Sequence, residues 1–244
     1  MKLIVKHYYC FGKKAENVGR NLLISSSWDT IRLDEDESTP FSIPSNRNKW
    51  IEKCKNHTIM VERGKAIANF LKIKRKNFKK VISFGFGAGF MEYNLKANYP
   101  EIQISCSDFA PKAVERLKNV FTEADNVEVF DMLKDEWINY GVDTLYILHR
   151  LDADFNNKQW DKIFCKMNQT GIENILFVPC DISKIGFLLK SKLGYFSQVL
   201  QGNKMSFAGY LRNRNQLVAL FDNYYKLQEE FPIHDLTGFL LKIK

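Results

Sequence analysis

The sequence lacks the features that would place the protein in a membrane or hold it together by disulfides. No stretch of the 244 residues reaches the roughly 18–20 uninterrupted apolar residues that a spanning helix needs. Lys6 and His7 interrupt the apolar start of the chain, which disfavours a secretory signal. The five cysteines are scattered without a Cys-x-x-Cys pair, so neither a disulfide framework nor a metal site is expected. We therefore expect a globular cytoplasmic protein that binds no metal.

Acidic residues are scarce in the first third of the chain, and the net charge of +8 comes from that part. Its densest basic cluster is Lys72, Lys74, Arg75, Lys76, Lys79 and Lys80. This cluster immediately precedes the first predicted strand of the sheet, whereas ligands of open α/β sheets bind at the opposite, carboxyl edge. A solvated basic surface therefore explains the charge better than a nucleic-acid site. Attraction of an anionic substrate stays an alternative.

From residue 81 onward, strand-like and helix-like periods alternate, which predicts βαβ units and a parallel sheet. The predicted strands are 81–84, 102–107, 127–130, 143–148 and 175–178. The predicted helices are 90–99, 111–121, about 156–170, 182–193 and 215–221. Two closing strands, 225–229 and 238–243, are joined by a short turn, and such a connection permits only an antiparallel pair.

The first 75 residues have a different pattern. They read as irregular to about residue 45, followed by helices at about 46–55 and 58–72. Their many aromatic residues suit a segment packed over the edge of the sheet, although ordinary core packing explains them equally well. We therefore divide the chain into an N-terminal extension, 1–75, that covers the substrate, and an α/β domain, 76–244.

A glycine loop, Ser83-Phe84-Gly85-Phe86-Gly87-Ala88-Gly89, lies between the first strand and the first helix of the α/β domain. Three glycines at alternate positions let the backbone turn sharply and let a flat ligand approach. The dinucleotide fingerprint needs its third glycine at position 90, which is Phe90, so an NAD-dependent oxidoreductase is a weaker interpretation. No Gly-Lys-Ser/Thr follows, which excludes a triphosphate-binding P-loop.

In this loop and in the elements that follow it, residues 80–244 resemble the class I S-adenosylmethionine (SAM)-dependent methyltransferases. The resemblance implies SAM as cofactor and a seven-stranded Rossmann-like sheet of order 3-2-1-4-5-7-6, with strand 7 antiparallel and helices on both faces. It also implies that Gly85, Gly87 and Gly89 form the cofactor loop. The acidic residue of that motif, two positions before the first glycine, is replaced here by Ser83, which offers a hydroxyl but no charge.

Four further residues match the cofactor positions of that family. Asp108 ends the second strand, where the family's acidic residue accepts both ribose hydroxyls, and Phe109 would lie against the adenine. Asp131 would face the adenine amino group, with the Met132 backbone N–H near a ring nitrogen. The alternatives are that Asp108 caps the next helix and that Asp131 is a solvated loop residue.

The chemistry of this family takes place near the end of the fourth strand. His149 is the candidate general base, because its ordinary pKa near ~6.5 lets it accept a proton at neutral pH, although a structural role is equally expected. Asp152 is a second candidate. Asp152 or Asp154 could activate an acceptor hydroxyl or bind a metal, and the alternative is that one of them caps the helix that starts near Asn156. Arg150 is a candidate substrate-binding residue.

The segment Tyr210-Leu211-Arg212-Asn213-Arg214 adds further candidates for substrate binding. Two arginines two residues apart suit a carboxylate or phosphate, with surface ion pairing as the alternative. We therefore predict a SAM-dependent methyltransferase acting on a small or medium polar acceptor: O-methylation of a sugar, a phosphorylated metabolite or a glycan precursor. The alternatives are an RNA methyltransferase and a non-catalytic binding or scaffold protein.

Overall fold

A computed structural model describes residues 5–10, 21–35, 41–74, 77–180, 185–203 and 205–244. The helices of this part of the chain are α1 (Ser25–Arg32), α2 (Arg47–Asn56), α3 (Thr58–Lys74), α4 (Phe90–Asn98), α5 (Pro111–Val120), α6 (Asn157–Gln169), α7 (Ile185–Leu200) and α8 (Arg214–Phe221). The strands are β1 (Val5–Cys10), β2 (Lys80–Phe84), β3 (Gln103–Asp108), β4 (Asn126–Val129), β5 (Thr144–His149), β6 (Asn174–Val178), β7 (Met205–Leu211), β8 (Tyr225–Ile233) and β9 (Leu236–Ile243).

Seven of these strands form one sheet in the order β4-β3-β2-β5-β6-β9-β8. Strands β4, β3, β2, β5 and β6 are parallel, and β9 runs antiparallel to both of its neighbours. Renumbered within this sheet, the order is 3-2-1-4-5-7-6 with strand 7 antiparallel. The fold class and topology expected from the sequence are therefore confirmed.

Helices cover both faces of the sheet because its central strands are apolar on both sides. Strand β6 is buried along its whole length, and neighbouring residues of β2 enter different cores. Val81 packs in the core that also contains Leu95 of α4, whereas Ile82 packs in the core that contains Trp160 of α6. Alternate side chains of a strand point to opposite faces, so one strand anchors both layers.

The prediction for the start of the chain is partly wrong. The expected helices at 46–55 and 58–72 are confirmed as α2 and α3, but the part before residue 45 contains α1 and β1. Strand β1 pairs antiparallel with β7 in a separate two-stranded sheet, where His7 lies opposite Gly209. We call β1, residues 21–35 and β7 the lid. Because β1 and β7 are far apart in the sequence, neither strand carries a local sequence pattern that predicts their pairing.

Two further expectations need adjustment. Helix α6 is capped by Asn156, which forms a capping box with Gln159, so neither Asp152 nor Asp154 is its cap. Helix α7 continues to Leu200, beyond the predicted end at 193, and the predicted residues 182–184 lie outside the described part of the chain.

The basic cluster lies at the amino edge of the sheet, as expected. Lys74 ends α3 and pairs with Glu229 at 3.0 Å. Lys80 begins β2, and its Nζ lies 3.8 Å from the centre of the Tyr140 ring. Arg75 and Lys76 are outside the described residues. Among the helices described, none is long and apolar enough to span a membrane.

Candidate functional site

A cavity of about 760 Å³ lies at the carboxyl ends of β2, β3 and β5, with the lid above it. We call the strand-end residues that line it the floor: Gly85, Gly87, Asp108, Phe109, Asp131 and Met132. The lid lines the opposite side through Tyr9, Trp28 and Arg32, among others. A cavity of this size at the carboxyl edge of an open α/β sheet is the expected position and volume of a ligand site in this fold.

The structure requires glycine at the three positions of the loop for different reasons. All have positive φ, with values of 63°, 65° and 75° for Gly85, Gly87 and Gly89. A Cβ on Gly85 would lie 2.3 Å from Leu151, and one on Gly89 would lie 2.6 Å from Leu117. A Cβ on Gly87 would meet the guanidinium of Arg32 at 3.4 Å. The first and third glycines therefore allow close packing, whereas Gly87 presents bare backbone to the cavity.

Asp108 stands at the cavity end of β3 and is 8% exposed. Its Oδ1 accepts a hydrogen bond from the Ala110 backbone N–H at 3.0 Å. The alternative role, capping α5, belongs to Asp29 of the lid, whose Oδ1 accepts from Lys112 N and Ala113 N. Burial raises the pKa of Asp108 to about 6, opposed by the nearby positive charge of Arg32. Asp108 is thus a buried carboxyl at the place expected for ribose recognition.

Asp131 and Met132 also lie where the sequence predicted, on the loop after β4. Asp131 lines the cavity, but its Oδ1 accepts from Leu133 N at 3.0 Å and its Oδ2 pairs with Lys134 at 2.8 Å. The contacts of Asp131 are therefore those of the loop aspartate that the sequence analysis gave as the alternative. Met132 is 6% exposed and lines the cavity beside it.

Sequence reasoning missed Glu92, a buried carboxyl that accepts a hydrogen bond from Ser83. Both side chains are buried, and the Ser83 hydroxyl donates to Glu92 Oε1 at 2.7 Å. The other oxygen, Oε2, has no hydrogen-bond partner among the described residues. Burial raises the pKa of Glu92 to about 7. A carboxyl from the first turn of α4 thus stands behind the glycine loop, and the need of a buried Ser83 hydroxyl for a partner was the available signal.

His149 ends β5 and lines the cavity, but its ring is occupied. Its Nε2 lies 3.2 Å from Nη1 of Arg63, which is itself 3% exposed and makes a two-point ion pair with Asp235. A guanidinium only donates, so Nε2 is the acceptor and the ring proton is on Nδ1. Burial, followed by the charges of Arg63 and Arg150, lowers the pKa of His149 far below its usual range. This imidazole is therefore a poor acceptor for a substrate proton.

The loop after β5 brings three more candidates together. Arg150 lines the cavity with a φ of 58° and donates from Nε to Cys180 Sγ at 3.1 Å. Asp154 also lines the cavity, and burial, with repulsion from Asp152 and Asp108, raises its pKa to about 8. A carboxyl with this pKa suits general-base work near neutral pH.

Asp152, the other predicted catalytic residue, lies behind the cavity wall. It is 0% exposed, and its Oδ1 accepts from Cys180 N at 2.9 Å. Burial raises its pKa to about 6. Asp152 therefore ties the end of β6 to the loop after β5 and does not face the cavity lined by the described residues.

The structure does not bring the predicted arginine fork to the cavity lined by the described residues. Arg212 is 0% exposed and donates to Asn157 Oδ1, to the Phe155 carbonyl at 2.7 Å and to the Asp152 carbonyl, so it braces the loop after β5. Arg214 forms a surface ion pair with Glu230. Tyr210 packs edge-on against Phe207 within the lid. Of the four predicted substrate-binding residues, only Arg150 lines the cavity.

No protein-family model and no curated protein sequence matches the chain. Solved structures do match. Mitomycin 7-O-methyltransferase is 13% identical with a TM-score of 0.60, covering 89% of this chain and 60% of its own. Human N-acetylserotonin methyltransferase in complex with SAM is 15% identical with a TM-score of 0.58, covering 94% and 61%. A pyocyanin biosynthetic protein is 14% identical with a TM-score of 0.57, covering 81% and 58%.

These similarities concern the fold. The chain spans about three fifths of the length of these neighbours. The chain has the same Rossmann-like α/β fold as these neighbours, with the strand order expected from the sequence.

Proposed function

We propose that the protein is a SAM-dependent methyltransferase that methylates a hydroxyl group of a small molecule. The observation that carries this proposal is the placement of a bare-backbone glycine, Gly87, and a buried carboxyl, Asp108, at the ends of adjacent strands on one side of a 760 Å³ cavity. The neighbours in fold support it, since one is a 7-O-methyltransferase and another was solved with SAM.

The residues present fit this cofactor. Gly87 presents bare backbone for a flat ligand above the loop, and Asp108 has a carboxylate to accept two ribose hydroxyls. Phe109, Met132 and Asp131 would hold the adenine. When bound, SAM supplies an electrophilic methyl group on a sulfonium. The chain has only to position the acceptor and remove its proton.

The part of the cavity lining outside the floor favours an acceptor with a flat apolar body. Its walls are mostly aromatic and apolar, and they include Tyr9, Trp28, Phe41, Met60 and Phe90. Such walls stack on planar rings, whereas a sugar or phosphorylated metabolite needs many polar partners. We therefore favour an aromatic hydroxyl over the sugar, phosphorylated metabolite or glycan precursor expected from the sequence, with Arg150 beside the reacting oxygen.

Proton removal is assigned to Asp154 in this proposal. Asp154 lines the cavity and has a pKa near 8, high enough to attract a proton and low enough to be partly ionised at neutral pH. His149 instead holds Arg63 in place through its Nε2. The lid, which includes part of the predicted N-terminal extension, would keep water from the acceptor.

Calorimetry with SAM and S-adenosylhomocysteine tests the cofactor assignment. We expect micromolar binding of both ligands and no heat with NAD. Absence of binding to either SAM-type ligand would exclude the enzyme and leave the scaffold interpretation.

A transfer assay with radiolabelled methyl groups tests the acceptor. A panel of phenols, aromatic carboxylic acids, sugars and sugar phosphates is compared at equal concentration, with a structured RNA as a further arm. We expect transfer to phenols. Transfer to sugars alone, or tight RNA binding that weakens steeply with salt, would overturn the acceptor class proposed here.

A further inference from the structure

Among the described residues, three cationic side chains line the cavity: Arg32, Lys134 and Arg150. Lys134 is 82% exposed and pairs with Asp131, and Arg150 is engaged with Cys180 at the end of β5. Arg32 belongs to the lid, at the end of α1, and is 7% exposed. It is the cation that stands over the glycine loop.

The guanidinium of Arg32 has a defined position. Its Nη2 lies 3.4 Å from the place where a Cβ on Gly87 would be, so the guanidinium lies close to the bare backbone of the loop. Its central carbon lies 4.5 Å from the centre of the Trp28 ring, and its Nη1 donates to the Phe41 carbonyl at 2.6 Å. One part of the group is therefore held by Trp28 and the Phe41 carbonyl, while Nη2 faces the loop.

The lid segment that carries Arg32 is fastened to the α/β domain. Asp29 accepts hydrogen bonds from the first turn of α5, at 3.0 Å from Lys112 N and 3.1 Å from Ala113 N. Arg116 of α5 pairs with Glu35 and donates to the Ile43 carbonyl. Arg32 is thus mounted on a docked helix, which is what a precise binding residue requires.

The surroundings of Arg32 are acidic. Asp108, Asp154 and Glu92 all act on it electrostatically. This group of carboxyls suits the positive sulfonium and ammonium of SAM, but it repels the carboxylate of the same ligand. A carboxylate buried here needs a cation beside it, because an unpaired buried charge is strongly unfavourable.

We propose that Arg32 binds the carboxylate of the amino-acid end of SAM, so that the N-terminal helix α1 is part of the cofactor site as well as a cover over the acceptor. The inference rests on the proposed function. It gives the methionine end a charged partner, which the neutral Ser83 of the loop does not provide. It also makes cofactor binding dependent on the docked lid.

The test compares SAM with decarboxylated SAM, two ligands that differ only in the carboxylate. Calorimetry without acceptor measures both affinities for the wild type, Arg32→Gln and Arg116→Gln. We expect Arg32→Gln to weaken SAM binding roughly 10- to 100-fold, as for the loss of a charge-assisted pair, and to change decarboxylated SAM less than about threefold. Arg116→Gln loosens the same lid segment away from the cavity, so it should affect both ligands equally.

Two results overturn the inference while leaving the proposed function in place. One is an equal loss of affinity for both ligands in Arg32→Gln, which would make Arg32 a structural part of the lid. The other is unchanged SAM affinity in that variant. If the wild type binds neither SAM nor decarboxylated SAM, the proposed function itself fails, and the inference fails with it.

Discussion

The floor and the lid of the cavity are built in different ways. Every floor residue lies at or just after the end of a parallel strand, so the sheet itself brings Gly87, Asp108 and Asp131 to one edge. The lid depends on pairing between β1 and β7, where His7 lies opposite Gly209. The floor is therefore set by local sequence plus a common topology, whereas the lid depends on pairing between strands that are far apart in the sequence.

The two regions meet at the loop after β5. The Tyr210 N–H of β7 donates to the Ala153 carbonyl at 2.8 Å, next to Asp154. Under the proposed function, the floor would bind the cofactor and the lid would limit what else enters the cavity. Residues at their junction should accordingly have the largest effects on catalysis.

The largest expected effect is that of Asp154→Asn. Removing the proposed base should lower kcat about 10²- to 10⁴-fold, a larger effect than the loss of SAM affinity. In the wild type the rate should rise with pH towards about 8, because Asp154 must lose its proton to accept another, and the variant should lose this limb. Initial rates from pH 6 to 9.5 measure both. Full activity in Asp154→Asn together with inactivity in His149→Gln would return the base to His149.

Within the floor, Asp108→Asn should weaken S-adenosylhomocysteine binding about 100-fold. The amide keeps the shape but loses the charge and an acceptor that two hydroxyls require. Asp131→Asn is the matched comparison, and we expect less than about a fivefold loss because Asp131 is engaged with Leu133 N and Lys134. Calorimetry ranks the two, and the reverse order would contradict the assignment of the floor.

At the junction, Gly209→Ala should destabilise the protein by about 2–3 kcal/mol, from backbone strain and a clash. Gly209 has a φ of 107°, and a Cβ there would lie 1.9 Å from the Ala153 carbonyl oxygen. Displacement of that loop should also lower kcat through Asp154. In the control, Gly194→Ala, the added Cβ meets nothing within 4 Å, and we expect equal or slightly higher stability. Denaturant unfolding gives the two values, and equal stabilities would show that β7 does not pack as described.

Glu92→Gln should change the pH dependence of stability. The native pKa of Glu92 is raised from 4.5 to about 7. Between pH 4.5 and about 7, the native state therefore keeps a proton on Glu92 that the unfolded chain releases. The stability that protonated Glu92 contributes at low pH is lost as the pH rises through this range. The variant should be more stable than the wild type by on the order of 1–3 kcal/mol at pH 8, and about equal to it near pH 4.5. Thermal unfolding at both pH values, with the exposed Glu115→Gln as control, checks the sign; a variant that is less stable at pH 8 would refute it.

The smallest effect is expected for Arg214→Gln. Its ion pair with Glu230 is on the surface, and such pairs contribute at most about 1 kcal/mol. Stability, kcat and KM should all stay close to the wild-type values. A clear rise in KM would instead indicate that Arg214 binds the substrate, as the sequence predicted.

The predictable part of the molecule is the part with periodic local signals. Strand β6, the α5 helix with Pro111 in its first turn, and the closing hairpin are visible in the sequence, and together they indicate the whole sheet. The floor residues can be predicted as well, because the strand order determines which strand ends lie next to each other.

The rest depends on contacts between distant residues. Arg32, Glu92 and Arg63 are ordinary charged residues until the fold buries each beside a particular partner. The error over Arg212 has the same cause, since a guanidinium that braces carbonyls and one that binds substrate look alike in sequence. The occupied Nε2 of His149 could not be foreseen for this reason either.

The pairing of β1 with β7 also bears on how the protein folds. These strands are separated by about 200 residues, and contacts of such high order form slowly because a large loop must close first. During synthesis β1 leaves the ribosome early but cannot pair until β7 has followed. The sheet and its floor can therefore fold before the lid closes, and pulse-labelled hydrogen exchange should find the β1–β7 amides protected after those of β2, β3 and β5.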